Sequence, residues 1–278
     1  MADAALAAQA IRIDGMGGVA MQVSLPMYGV THQQVEPFWR ALRARLQAYG
    51  LEAPETLSWP QDLARHWRQP DLLLSQTCGY PLVAYLPQVQ VIGTYHYRVE
   101  GCNGPNYSSW LVVREDDPGE RLADFRGRTA AYNSTDSQSG YNSLRALIAP
   151  LAQDGRFFGK ALASGAHYQS LKMIQRGEAD IAAIDSVSLE LLRRAQPEAL
   201  HGVKIIGRTA SVPGLPLITA AGTSQGQVEI LRAAANEMVS DPASDSLLIG
   251  DFSLVPRADY QVIAELERQA AAAGVTAL

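Results

Sequence analysis

The residue types best suited to chemistry lie in one stretch, Tyr132-Asn-Ser-Thr-Asp-Ser-Gln-Ser-Gly140, followed by Tyr-Asn-Ser-Leu-Arg-Ala-Leu-Ile-Ala149. A strand-like run, Arg128-Thr-Ala-Ala-Tyr132, precedes it, and its second half has the pattern of an amphipathic helix. The first turn of a helix carries unpaired backbone N–H groups and the positive end of the helix dipole. Ser137 and Ser139 add hydroxyl donors, Gln138 an uncharged amide, and Gly140 would let a ligand approach the backbone. Such a site favours an oxyanion: phosphate, phosphonate, sulfate or carboxylate. The same residue types also serve as plain helix N-caps, so the segment alone leaves both readings open.

Composition narrows the function classes. Hydrophobic residues make up 47% of the 278-residue chain and charged residues 18%, as in an ordinary globular protein with room for two cores. The net charge is −5 and no basic block occurs, which argues against nucleic-acid binding. No apolar run reaches the roughly 18 residues of a membrane span. No metal-ligand cluster is evident among the five histidines, no nucleophile–base pair stands at a recognisable spacing, and there is no glycine-rich nucleotide loop. Neither a metal nor a cofactor is therefore expected. Residues 1–17 read as a tail, either the remnant of a signal peptide or an alanine-rich disordered start. Cys78 and Cys102 are even in number and sit in glycine-containing loops, which points to a disulfide closing a loop of about 25 residues, worth roughly 3 kcal/mol. Two free thiols are the alternative.

Strand-like and helix-like runs alternate along the chain. Strands are expected at 19–25, 56–59, 71–76, 89–97, 107–114, 128–132, 160–164, 180–185, 203–207 and 215–220. Helices are expected at 33–49 (capped by Thr31), 61–67, 122–127, 167–177, 186–194, 225–239 and 260–273. In the helix at 33–49, Val35, Phe38, Trp39, Leu42 and Leu46 fall on one face. The alternation predicts an α/β fold with a parallel, doubly wound sheet in each of two lobes. Lobe 1 comprises 18–106 and 213–278, and lobe 2, inserted into it, comprises 107–212. The connections near 104–110 and 209–216 would be hinges, with a ligand cleft between the lobes.

Three local patterns in this order resemble one known family. They are Leu122-Ala-Asp-Phe-Arg-Gly-Arg-Thr-Ala-Ala-Tyr132 with Ser137-Gln-Ser-Gly-Tyr141; Ser164-Gly-Ala-His167 with Gly177-Glu-Ala-Asp-Ile-Ala-Ala-Ile-Asp185-Ser186; and the return strand Leu215-Pro-Leu-Ile-Thr219. Over about residues 20–255 the chain resembles the PhnD-like substrate-binding proteins of phosphate, phosphite and phosphonate ABC importers, which are type II periplasmic binding proteins. The resemblance implies a two-lobed receptor with a cleft that binds a small oxyanion and delivers it to a membrane permease. It implies a monomer, outside the cytoplasm, without catalytic activity. An enzyme or a sensor on the same fold are the rival readings.

Carried over residue by residue, the resemblance assigns ligand contacts to Ser137, Gln138, Ser139, Gly140, His167, Asp185 and Tyr28, and Tyr80 is a plausible further cleft residue. His167 and Asp185 could instead serve only as helix caps, and Tyr28 and Tyr80 as core or rim aromatics. The family turn is commonly Ser-Thr-Ser before Gly. Here Gln138 takes the middle place and Asp136 lies just ahead, so a monoanionic or zwitterionic ligand would suit the site better than phosphate dianion.

Overall fold

The computed structural model describes residues 21–28 and 32–278. The expected tail at 1–17 and the expected Thr31 cap lie outside the described residues.

In chain order the first elements are β1 (Gln22–Ser24), α1 (His32–Ala48), α2 (Leu63–His66), β2 (Leu72–Gln76), α3 (Gly79–Ala84) and β3 (Gln90–Tyr97). The short strands β4 (Cys102–Asn103) and β5 (Asn106–Tyr107) lead to β6 (Ser109–Arg114), β7 (Thr129–Tyr132) and α4 (Ser143–Ile148). Next come β8 (Lys160–Ala163), α5 (His167–Gln175), β9 (Ile181–Asp185), α6 (Ser186–Ala195) and β10 (Val203–Arg208). The chain closes with β11 (Val212–Pro213), β12 (Pro216–Thr219), α7 (Gln225–Glu237), β13 (Ile249–Ser253) and α8 (Gln261–Ala272).

Two five-stranded sheets organise the molecule, in the orders β1-β2-β12-β3-β13 and β10-β6-β9-β7-β8. Each is mixed rather than wholly parallel. β1 runs parallel to β2, and β7 parallel to β8 and β9, whereas β12 is antiparallel to β2 and β3, and β6 antiparallel to β9 and β10. The long strand leading away from the first lobe and the strand returning to it reverse direction in their new sheets. The two connections lie side by side: Val212 pairs with Tyr107 and Pro213 with Asn106, in a small sheet of β11, β5 and β4. Just beyond it, Thr209 N–H donates to the Ser109 carbonyl and Ser109 N–H to Thr209 Oγ1, both at 2.9 Å.

The apolar face of α1 packs on the first sheet as its periodicity requires, with Val35, Phe38, Trp39, Leu42 and Leu46 all buried. Trp39 is 2% exposed, and Trp39→Ala is expected to cost about 3–5 kcal/mol, read as a lowered midpoint in urea denaturation. Both faces of the second sheet are covered, by Phe125, Leu144 and Ile148 on one side and Leu171, Ile174 and Leu192 on the other.

Three expectations need correction. Residues 56–59 form no strand: prolines flank the segment, and a single bond, from Ser58 N–H to the Val23 carbonyl at 2.7 Å, ties it to β1. The Cys78-Gly-Tyr-Pro81 stretch, expected as the end of a strand, opens α3, where Pro81 stands within the first turn and its missing donor costs nothing. Gly79 is required there because a Cβ would lie 2.4 Å from Ile263 Cδ1. β13 was not anticipated, since Ile-Gly-Asp-Phe-Ser lacks clean alternation; it is held by pairing to the edge of β3.

The C-terminal helix spans both lobes. Tyr260 and Ile263 join the core beside β2 and α3, while Ala270 and Val275 join the core of α4 and the second sheet.

Candidate functional site

The hydroxyl-rich turn follows β7 and starts the next helix in a wide, π-helical turn over residues 138–142 that continues as α4. Asn142 N–H reaches back to the Ser137 carbonyl at 3.0 Å, five residues earlier, which opens the turn. Ser137 is the N-cap, extended at φ −78° and ψ 128°, and its Oγ accepts from Gly140 N–H at 3.0 Å. Its own hydroxyl proton remains available. Ser139 Oγ lies 3.4 Å from Ser137 Oγ and 2.8 Å from His167 Nε2, at the first residue of α5. Burial lowers the His167 pKa to about 4, so the imidazole is neutral near pH 7. If the ring proton sits on Nε2, it donates to Ser139 Oγ and leaves the serine O–H free to point at a ligand.

Beside the turn the site is acidic and aromatic. Asp185 ends β9 and caps α6, its Oδ1 accepting from Ser188 N–H at 2.8 Å. Its Oδ2 accepts from the Tyr28 hydroxyl at 3.0 Å, a contact between the two lobes. Asp185 is 2% and Tyr28 5% exposed. Burial drives the Asp185 pKa up to about 6, partly offset by the Ser188 and Tyr28 bonds. Asp136 accepts a hydrogen bond from the Ser134 hydroxyl.

A cavity of about 910 Å³ opens between these walls, lined from the first lobe by Met27, Tyr28, Leu63, Trp67, Cys78 and Leu215 among others. The second lobe contributes Asn133, Ser137, Ser139, His167, Asp185 and Ser188, with Leu171, Leu191 and Leu192 further out. Among the described residues, no lysine or arginine lines it. Asn133 Oδ1 and His167 Nδ1 are buried without a hydrogen-bond partner.

The sequence matches, over residues 68–266, the family described as "ABC transporter, phosphonate, periplasmic substrate-binding protein". The chain belongs to this family. No curated protein sequence matches it. Among solved structures, a binding-protein component of an ABC phosphonate transporter from Pseudomonas aeruginosa is similar at TM-score 0.74 and 16% identity, covering 92% of this chain and 88% of its own. PhnD1 from Prochlorococcus marinus, in complex with methylphosphonate, is similar at TM-score 0.74 and 15% identity, covering 90% and 97%. A Xanthomonas citri protein bound to a chloride ion is similar at TM-score 0.68 and 17% identity, covering 91% and 98%. At these identities the structural likeness establishes the shared two-lobed periplasmic-binding-protein fold.

The protein is thus a solute-binding receptor of an ABC transporter, in a family of receptors rather than enzymes. No helix among the described residues is long and apolar enough to cross a membrane. Of the eight residues assigned from sequence, Tyr28, Ser137, Ser139, His167 and Asp185 line the receptor's cavity. Gln138 is fully buried behind it: its Oε1 accepts from Asn142 Nδ2 at 2.9 Å and its N–H donates to Cys78 Sγ at 3.2 Å. Gly140 lies under the turn, where a Cβ would fall 2.0 Å from Asn133 Oδ1. Tyr80 lies outside the cavity lining and turns toward α8, donating to Glu267 Oε1 at 2.7 Å. Glu267 also meets Arg145 Nη2 at 3.1 Å, so Tyr80 joins a strap between α3, α8 and α4. Asn133 and Cys78 were missed as lining residues. Asn133 stood in the quoted hydroxyl and amide segment, whereas nothing local marked Cys78.

The Cys78–Cys102 disulfide expected from sequence is absent: both cysteines are free. Their thiols engage different partners, Cys78 the cradle amide of Gln138 and Cys102 the Ser186 hydroxyl at 3.6 Å. Burial raises both thiol pKa values, that of Cys102 to about 11, so both stay protonated and unreactive near neutral pH. Thiol titration without reductant should find two thiols per unfolded chain and slow reaction in the native protein. One disulfide per chain would contradict this.

Proposed function

We propose that the receptor binds a small organic oxyanion, phosphonate foremost, with the head group held by the Ser137 and Ser139 hydroxyls. His167 sets the direction of the Ser139 proton, Asp185 lies on the same lobe as the serines, and Tyr28 faces the ligand from the other lobe. The observation that carries this reading is the pair of cleft-facing hydroxyls 3.4 Å apart, one of them backed by a neutral imidazole at 2.8 Å. Charge supports a monoanionic or zwitterionic ligand over a dianion. Asp62, Asp136 and Asp185 line the cavity without any lysine or arginine among the described residues, and a carboxyl whose pKa is about 6 can accept a ligand proton or, when protonated, donate one.

The reading extends to the assembly. Residues 18–106 with 213–278 act as one lobe and 107–212 as the other, hinged where Tyr107 and Asn106 pair with Val212 and Pro213. The receptor works as a monomer outside the cytoplasm and hands its ligand to a membrane permease. Thermal denaturation tests the ligand class. Methylphosphonate at about 100 times its Kd should add about 2.7 kcal/mol, raising Tm by several degrees. No shift with methylphosphonate, phosphite, phosphate or 2-aminoethylphosphonate would overturn the reading.

A further inference from the structure

The oxyanion cradle occupies one end of a much larger space. A methylphosphonate has five heavy atoms and displaces about three waters, or about 90 Å³, against a cavity of about 910 Å³. That volume falls in the range of about 300–1,000 Å³ used for organic ligands of drug size. The lobes are already in contact at the cradle. Tyr28 O–H bonds Asp185 at 3.0 Å and Gln138 N–H bonds Cys78 at 3.2 Å. The space therefore lies beside closed contacts, not between separated lobes.

Its walls away from the cradle come from both lobes and combine a set of apolar side chains with Gln61, Asp62, Asp136 and Gln196. Met27, Leu63 and Trp67 face Leu171, Leu191 and Leu192 across it. Trp67 is fixed by its indole N–H donating to Ser75 Oγ at 3.2 Å. Among the described residues that line it there is no lysine or arginine to neutralise a second anionic group. The acids nearby are already engaged: Asp62 accepts from Arg65 N–H at 2.9 Å, and Asp136 from the Ser134 hydroxyl.

We propose that the receptor selects oxyanions bearing an uncharged, apolar substituent of at least butyl or phenyl size, the substituent lying between Leu63, Trp67 and Met27 on one lobe and Leu171, Leu191 and Leu192 on the other. This rests on the cradle reading above. It makes the receptor specific for organophosphonates or similar esters with hydrocarbon tails rather than for the smallest members of the class. Each buried methylene can raise affinity about threefold to fourfold, so a butyl group should gain at least tenfold over methyl after ordering costs.

Calorimetric titration with phosphite, methylphosphonate, n-butylphosphonate, phenylphosphonate and 2-aminoethylphosphonate tests it. The expected result is butyl and phenyl at least tenfold tighter than methyl, and a gap that narrows in Leu63→Ser. Methylphosphonate binding as tightly as butylphosphonate, or 2-aminoethylphosphonate binding tightest, would overturn the apolar subsite while leaving the cradle standing. A gap untouched by both Leu63→Ser and Leu192→Ser would overturn the placement of the substituent. Failure of every ligand to bind would overturn the cradle reading itself, and this inference with it.

Discussion

Replacing Ser139 with alanine should weaken methylphosphonate binding about 10- to 150-fold while leaving the fold intact. Ser139 Oγ is the link between the cradle and His167, 2.8 Å from Nε2 and 3.4 Å from Ser137 Oγ. The substitution removes one hydroxyl donor to a charged ligand, worth about 1.5–3 kcal/mol, and leaves His167 Nε2 without its partner. The backbone of the turn does not depend on this hydroxyl. Gly140 N–H remains capped by Ser137 Oγ at 3.0 Å, and Ser143 Oγ still donates to the Ser139 carbonyl at 2.6 Å. Denaturation midpoints should therefore change little. Because Ser139 and His167 act through one bond, Ser139→Ala and His167→Ala should be strongly non-additive: the double variant should bind about as weakly as Ser139→Ala alone. Additive losses from the two would mean that His167 contacts the ligand independently.

The second large effect is a pair of opposed pH dependences. Asp185 has its pKa raised from 3.8 to about 6, so between those values the native state holds a proton that the unfolded state has lost. Stability from this group is full near pH 4 and falls as pH rises to 6, by about 3 kcal/mol. His167 has its pKa lowered from 6.5 to about 4, so there the unfolded state holds the extra proton. Its contribution is full above pH 6.5 and falls as pH drops toward 4, again by about 3 kcal/mol. In the wild type the two slopes oppose each other. Asp185→Asn should unmask the histidine: stability relative to wild type should rise from pH 4 to 6. At pH 7 the variant should exceed wild type by up to about 3 kcal/mol, because the ionised buried carboxylate is gone. His167→Asn should do the reverse and lose relative stability from pH 4 to 6. Urea denaturation at pH 4, 5, 6 and 7 measures both differences, and curves parallel to wild type would refute the burial-driven assignments.

Much of this was legible in local pattern. The face of α1 followed from Val35, Phe38, Trp39, Leu42 and Leu46, because a 3.6-residue period leaves only one way to bury them. The capped turn was legible because Ser137 must cap a helix somewhere and short polar side chains cluster there. What failed depended on contacts far apart in sequence. Tyr80 meets Glu267 across 187 positions, and no local rule says which way its ring points. The thiols were misjudged for the same reason. Their loops looked alike, yet the fold directs Cys78 to the cradle amide and Cys102 to the start of α6. The reach of α8 across both lobes was hidden because its apolar residues serve two cores in turn.

A crystal structure of the receptor grown with methylphosphonate tests the central claim most directly. The account predicts phosphonyl oxygens within about 3 Å of Ser137 Oγ and Ser139 Oγ, with Tyr28 closing the site from the other lobe and the methyl group directed toward Leu63 and Leu192. Density for the anion on the outer surface, or within the cleft but away from both serines, would contradict it.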